Sequence, residues 1–208
     1  MMGEFHRMTL PLPVPDALII SECQRGILEP ELGAFAGLAE QARSRCIVPR
    51  IAVLAEAFRD VGKPVIHLTI AHRLDFADVK ANSLLAALAR KHGNVIAGTP
   101  QATIVPELAP AVQDFVVERS AGLIGFLGTS LDATLRRLGV QTLVIAGVST
   151  NVAVTGCAMV ASDLGYNVIV AEDCIAASDP ATHEVIVRDQ LRMIARVASA
   201  TQITQALT

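Results

Sequence analysis

Leu143-Val144-Ile145-Ala146-Gly147-Val148-Ser149-Thr150-Asn151-Val152-Ala153-Val154-Thr155-Gly156-Cys157 is the stretch whose reading decides the fold. Four apolar residues, Leu143 to Ala146, run straight into Gly147, as a buried strand does before a tight turn. Ser149, Thr150 and Asn151 follow, the small polar types that open helices. A strand, a glycine turn and a helix start aim backbone N–H groups and the positive end of a helix dipole at one spot. In open α/β sheets ligands bind there, at the carboxyl ends of the strands.

The same rhythm extends outward. Upstream, residues 114–118 read as a strand. A glycine-rich connection follows, and then a helix whose capping-box-like start is Thr129-Ser130-Leu131-Asp132, with Gly139 as its stop. Downstream, a helix over 151–164 closes at Gly165, and residues 167–171 read as a strand. The last helix is expected over 182–197, and an edge strand over 198–203. Near the start, Ala17–Ser21 is a short, fully apolar strand. Apolar residues at 47, 48, 51, 54, 55, 58 and 61 have the spacing of an amphipathic helix, which Gly62-Lys63-Pro64 ends before the strand Val65–Ile70. Residues 71–110 give a mixed signal: a helix over 83–90, then loop around Gly98, Pro100, Pro106 and Pro110, the kind of segment that serves as lid or subunit contact.

Strand and helix alternate about every 25 residues, the pattern of a doubly wound parallel sheet with right-handed crossovers. Nothing repeats and nothing reads as a linker, so residues 1–208 are expected to form one domain, with 1–15 an extended, Pro-rich lead-in. Apolar residues are 52% of the chain and aromatics 3%, an aliphatic core suited to a sheet covered on both faces.

Composition excludes several functions. The net charge is −3 with no basic stripe, which argues against nucleic acid. Apolar runs are only strand-length, too short to span a membrane, and the first residues lack a signal-peptide core, so the expected location is the cytoplasm. Cys23, Cys46, Cys157 and Cys174 show neither a CxxC pair nor metal spacing and read as reduced thiols. Neither dinucleotide-binding nor P-loop glycine patterns occur, so no cofactor is expected.

Three strand ends carry chemistry to one edge of such a sheet. The first supplies Glu22 and Gln24, the third Glu118 and Arg119, and the fourth the turn Ser149-Thr150-Asn151. A carboxylate, a guanidinium and a nest of backbone donors can therefore converge.

In order and spacing, these pieces resemble a known family. The first strand ends in Glu22-x-Gln24 and a later one in Arg119. Then come Phe126-x-Gly128-Thr129-x-Leu131, Leu143-x-x-x-Gly147-Val148-x-Thr150-x-Val152, Gly165-Tyr166-x-Val168 and Asp173-x-x-Ala176. Over residues 17–204 the pattern is similar to the isochorismatase-like hydrolase superfamily. The resemblance implies a three-layer α/β/α sandwich, Rossmann-like, with a six-stranded, mostly parallel, doubly wound sheet, in a homodimer or higher homo-oligomer. It implies a triad of Asp, Lys and Cys in the amidohydrolase branch, and a cis peptide that falls here on Val148–Ser149. Carried over by position, the triad departs three times: the Asp falls on Glu22, the Lys on Arg119, and the Cys on Ala153. An alanine forms no thioester. Cys157, one helical turn further on, shares a face with position 153 but sits away from the N-terminal donors. The zinc pattern of nicotinamidases, Asp-x-His followed by a second His, is not matched at His67 and His72, so no metal is expected. His183 is expected at the surface.

The function expected is hydrolysis of a small, anionic metabolite, with Glu22 as acid/base and Arg119 as anion anchor. Gln24, Phe126, Ser149, Thr150, Asn151 and Ala153 are the expected substrate contacts. A catalytically silent homologue that binds a small molecule or serves in assembly, and an amidohydrolase using Cys157, stand as alternatives.

Overall fold

The computed structural model describes residues 11–207; residues 1–10 of the expected lead-in lie outside it, and 11–15 have no regular structure. The strands are β1 (Ala17–Ser21), β2 (Val65–Ile70), β3 (Phe115–Arg119), β4 (Thr142–Val148), β5 (Asn167–Ala176) and β6 (Arg196–Ala198). The helices are α1 (Arg25–Leu28), α2 (Ala36–Ser44), α3 (Ile47–Asp60), α4 (Leu84–His92), α5 (Leu131–Arg137), α6 (Thr155–Asp163), α7 (Pro180–Val185) and α8 (Ala200–Gln205). The six strands form one sheet in the order β3-β2-β1-β4-β5-β6, and every pairing between neighbours is parallel. The chain winds outward in both directions from β1 and β4, so the crevice of the sheet opens at their carboxyl ends.

Alternation along the central strands builds two cores. Leu18, Ile20, Val144 and Ala146 face α3, which buries Ile47, Ile51, Leu54 and Phe58. Ile19, Leu143 and Ile145 face the other way, onto Leu131 and Leu135 of α5 and Cys157 and Ala158 of α6. Each such aliphatic or Phe side chain taken fully out of water contributes roughly 1.5–3 kcal/mol. Gly147 is required where β4 leaves the sheet. Its φ is +101°, and a Cβ there would stand 2.2 Å from the Ser21 carbonyl oxygen of β1.

Several boundaries differ from the sequence expectation. β5 runs five residues beyond 171, because a bulge between Ile145 and Gly147 of β4 lets Ile175 and Ala176 pair despite the intervening Glu172 and Asp173. The helix expected over 182–197 begins at Pro180, capped by the Asp179 side chain, passes through a π turn, Ile186–Leu191, and stops at Ile194, freeing Arg196–Ala198 to pair as the edge strand. Residues 200–205 are helix where an edge strand was expected: Ser199 and Gln202 cap each other's backbone in a reciprocal box. At 129–132 no such box forms. Thr129 Oγ1 accepts from Leu131 N but donates to Gly125 O, while Asp132 turns to Arg136 and Tyr166.

Candidate active site

Glu22 is the first residue after β1. Its φ of +52° is a left-handed conformation that a residue with a side chain adopts at a cost. Hydrogen bonds on both sides hold the turn: Glu22 N donates to Leu68 O at 2.8 Å, and Glu22 O accepts from Gln24 N at 2.8 Å. Arg119 is the last residue of β3 and pairs in register with Ile70 of β2. β3 and β1 are two strands apart, roughly 10 Å at ordinary strand spacing, a gap that a long Arg and a long Glu side chain bridge over the end of β2. Arg119 Nη2 donates to Glu22 Oε1 at 2.5 Å. The two side chains are 5% and 15% exposed, and Arg119 Nε, fully buried, has no partner among the described residues. Glu118, the neighbouring residue on β3, is exposed.

On the other side of the crevice Gly147 pairs with Ser21, so β4 ends beside Glu22. The Val148–Ser149 peptide is cis. The chain then enters a π turn, Thr150–Val154, that runs into α6. Ser149 O accepts from Val152 N at 3.3 Å and Val154 N at 3.0 Å, and Thr150 O accepts from the Thr155 hydroxyl at 2.5 Å. Val152 N is thus already engaged; the other first N–H groups of such a turn lack intrahelical partners and carry the positive end of the helix dipole. Ala153 is buried within it, Ser149 is half-buried and Asn151 is exposed.

Cys157 lies one turn deeper and is fully buried. Burial pushes its thiol up to about 11; a Gly125 backbone hydrogen bond opposes this, the Glu22 charge adds a smaller rise and the Arg119 charge a smaller fall. The thiol thus feels both members of the ion pair, yet remains protonated at neutral pH. The expected contacts Gln24, Phe126 and Thr150 are otherwise engaged. Gln24 is fully buried; its amide donates to Ile70 O and Ala102 O and accepts from Ile70 N, which leaves no amide hydrogen for a ligand. Phe126 packs in the core, its ring 6.4 Å from that of Tyr166. Thr150 is fully buried, its hydroxyl 3.0 Å from His183 Nδ1.

His183 is therefore not a surface residue; it is 5% exposed. The spacing of His183, Val187 and Leu191, each four residues apart and all buried, is the signal that places it on the inner face of its helix. His67 and His72 are also buried. His67 Nε2 lies 3.3 Å from Asp114, which Arg59 also engages, and His72 Nδ1 lies 2.6 Å from Ser120 O.

A surface cleft of about 310 Å³ lies to one side, lined by Ser44, Arg45, Cys46, Arg50 and Asp173. None of the strand-end groups lines it, and its arginines are engaged: Arg50 on Asp173, Arg45 on the carbonyls of Glu172 and Ile175. Among the described residues no three His, Cys, Asp or Glu side chains are grouped to hold a metal ion, and no helix is long and apolar enough to cross a membrane.

The family model of the isochorismatase domain matches residues 16–202. The chain belongs to the isochorismatase family. Similar to this family member is the uncharacterized isochorismatase family protein YecD of Escherichia coli O157:H7, 33% identical over 92% of this chain and 95% of its own. A maleamate amidohydrolase of Pseudomonas putida is 29% identical over 66% and 63%. A probable inactive nicotinamidase of Arabidopsis thaliana is 30% identical over 83% and 86%. Among solved structures, an isochorismatase family protein from Desulfovibrio vulgaris superposes with a TM-score of 0.80 at 31% identity, covering 92% of this chain and 97% of that one.

Proposed function

We propose that this isochorismatase-family chain hydrolyses a small, anionic metabolite without a covalent thioester. Glu22 carries the proton, Arg119 anchors a substrate carboxylate, and the turn from Ser149 to Ala153 cradles the developing oxyanion. The observation that carries the reading is the Glu22–Arg119 pair, made between residues 97 apart in sequence, in which a guanidinium 5% exposed keeps an unpartnered Nε. A buried N–H donor without an acceptor is costly, and the chain bears that cost at the strand ends where the reading puts the ligand.

The chemistry follows from the residues present. Ala153 offers no nucleophile, so the attacking group on this reading is a water. Glu22 Oε2 makes no hydrogen bond among the described residues, so it is free to take a proton from that water as its oxygen attacks a carbonyl carbon. Charge gathers on the carbonyl oxygen and is met by the N–H groups of the turn. Glu22 then returns the proton to the leaving nitrogen, so the carboxylate ends the cycle as it began. Arg119 stays protonated throughout and serves as a fixed positive charge. For a vinyl ether the same carboxyl, protonated, would deliver its proton to the enol carbon.

The test assays maleamate, a ureidoacrylate and an isochorismate-type vinyl ether. Glu22→Gln is expected to lower kcat on the accepted substrate by about 10²-fold or more. Unchanged turnover in that variant overturns the proton role. A second reading, a silent homologue that binds without reacting, is favoured by Ala153 and by the inactive status that the Arabidopsis relative's name records. It wins if none of the three compounds turns over while one of them raises the melting temperature in proportion to its occupancy. The same proposal places the protein in the cytoplasm as a homodimer or higher homo-oligomer, with exposed Leu74, Leu84 and Leu85 of the 71–110 segment supporting a subunit contact. Light scattering on a sizing column reads that state directly.

A further inference from the structure

One buried polar contact reaches the Ser149–Ala153 turn from a different element. Thr150 is the first residue of the π turn, and both of its polar ends are held: its carbonyl by the Thr155 hydroxyl, and its own hydroxyl by His183 Nδ1 at 3.0 Å. His183 is delivered by α7, whose start is fixed by Asp179 accepting from the N–H and the hydroxyl of Thr182. β5, which leads toward α7, is held in turn. Arg45, at the end of α2, donates to Glu172 O and Ile175 O of β5. Burial and the Arg45 charge push His183 down to about 4, so at neutral pH the imidazole is uncharged. The buried contact joins one neutral hydroxyl to one neutral ring, 33 residues apart in the chain.

We infer that His183 is a positioning residue: by holding the Thr150 hydroxyl it fixes the direction of the N–H groups of Asn151 and Ala153, so that the cradle stands formed before a ligand arrives. This rests on the reading of that turn as the oxyanion cradle. The chemistry also explains why a polar partner stands there. An apolar side chain in place of His183 leaves a fully buried hydroxyl without a partner, and the turn can relieve that only by shifting. Small displacements of a preorganised donor cost much in rate.

Four variants test it. His183→Leu keeps bulk and removes the contact. His183→Asn can restore it, because its amide reaches the place of Nδ1. Thr150→Val removes the hydroxyl, and the fourth variant combines His183→Leu with Thr150→Val. Backbone amide shifts of residues 151–153 are read by NMR without any ligand. They are expected to move alike in His183→Leu, Thr150→Val and the double variant, and to return toward wild type in His183→Asn. On maleamate, where the wild type turns it over, His183→Leu should lower kcat on the order of 10- to 100-fold. Its KM should stay within about threefold of wild type, while His183→Asn recovers most of the rate. Unmoved amides at 151–153, or an Asn variant no better than the Leu variant, overturn the assignment. Absence of turnover in the wild type strikes the hydrolase reading alone, since the ligand-free amide shifts still decide whether His183 sets the turn. If His183→Leu fails to fold, Thr150→Val and His183→Asn carry the same comparison.

Discussion

The Glu22–Arg119 pair gives a prediction whose size follows from its asymmetric burial. Arg119 is 5% exposed and Glu22 15%, with one hydrogen bond of 2.5 Å between them. Replacing Glu22 by Met strands a guanidinium that has almost no access to water and whose Nε is already unpartnered. Breaking a buried pair in this way costs about 3–5 kcal/mol. Replacing Arg119 by Met strands a carboxylate that reaches water three times as easily, so its cost is smaller, about 1–3 kcal/mol. Removing both charges removes the desolvation problem with the attraction, and the double variant is expected within about 1 kcal/mol of wild type. The double-mutant cycle should therefore show a coupling of at least about 2 kcal/mol. The protein has no Trp and one Tyr, so urea unfolding is best followed by far-UV circular dichroism at pH 7, with equal slopes across the set as the check on two-state behaviour. Additive single variants, or a Glu22→Met cost no larger than that of Arg119→Met, would refute the picture of a buried cation held by a more exposed anion.

Three further outcomes are expected. Gly147→Ala must place a Cβ 2.2 Å from Ser21 O at a φ of +101°, so it should cost about 3 kcal/mol or more and lower Tm by roughly 10 °C, read by calorimetry. His183 has a folded pKa of about 4 against an ordinary value of 6.5, so the unfolded chain binds the extra proton between those values and stability falls as pH drops through that window. The loss is at most about 3 kcal/mol, complete by pH 4 and absent above pH 7; His183→Asn should lack that part of the slope in urea titrations at pH 7, 6 and 5. Of the four thiols only Cys46 is exposed, and burial raises Cys157 to about 11 and Cys174 to about 12. A thiol reagent should therefore label one cysteine in the native protein and four in guanidinium, without affecting turnover; loss of turnover with labelling of Cys157 would restore the thiol mechanism.

Where hydrophobic pattern and a breaker agreed, the elements were legible to the residue: Ala17–Ser21 and Val65–Ile70 occur as read, and the helix from Ile47 closes before Gly62. The meeting of Glu22 with Arg119 was legible too, because strand ends in a parallel sheet share an edge. Local polarity misled elsewhere. Glu172 and Asp173 hid the second half of β5, which pairs with β4 past a register shift that leaves no periodic trace. At 198–203 the alternation looked like a strand, while Ser199 and Gln202 at cap spacing held the opposite and stronger signal. His183 was misplaced because one residue near a helix start says little alone; only its stripe with Val187 and Leu191 turns it inward.

What the site keeps decides how its missing thiol is understood. A buried ion pair adds little net stability, since desolvation offsets most of the attraction. Folding alone is thus a weak reason to carry a guanidinium across two strands into the crevice and leave its Nε unpaired. The same holds for Glu22, whose left-handed φ is a cost that a glycine would avoid. Both costs fall at the switch point of the sheet, beside a turn that Thr155 and His183 hold from two directions. Cys157 is a poor substitute at position 153, being fully buried one turn deeper with its thiol raised to about 11. On the proposed reading the chemistry of this crevice then comes from the carboxylate. That division is sharp enough for Glu22→Gln and selective thiol labelling, performed together, to separate a hydrolase that activates water from a protein that only binds.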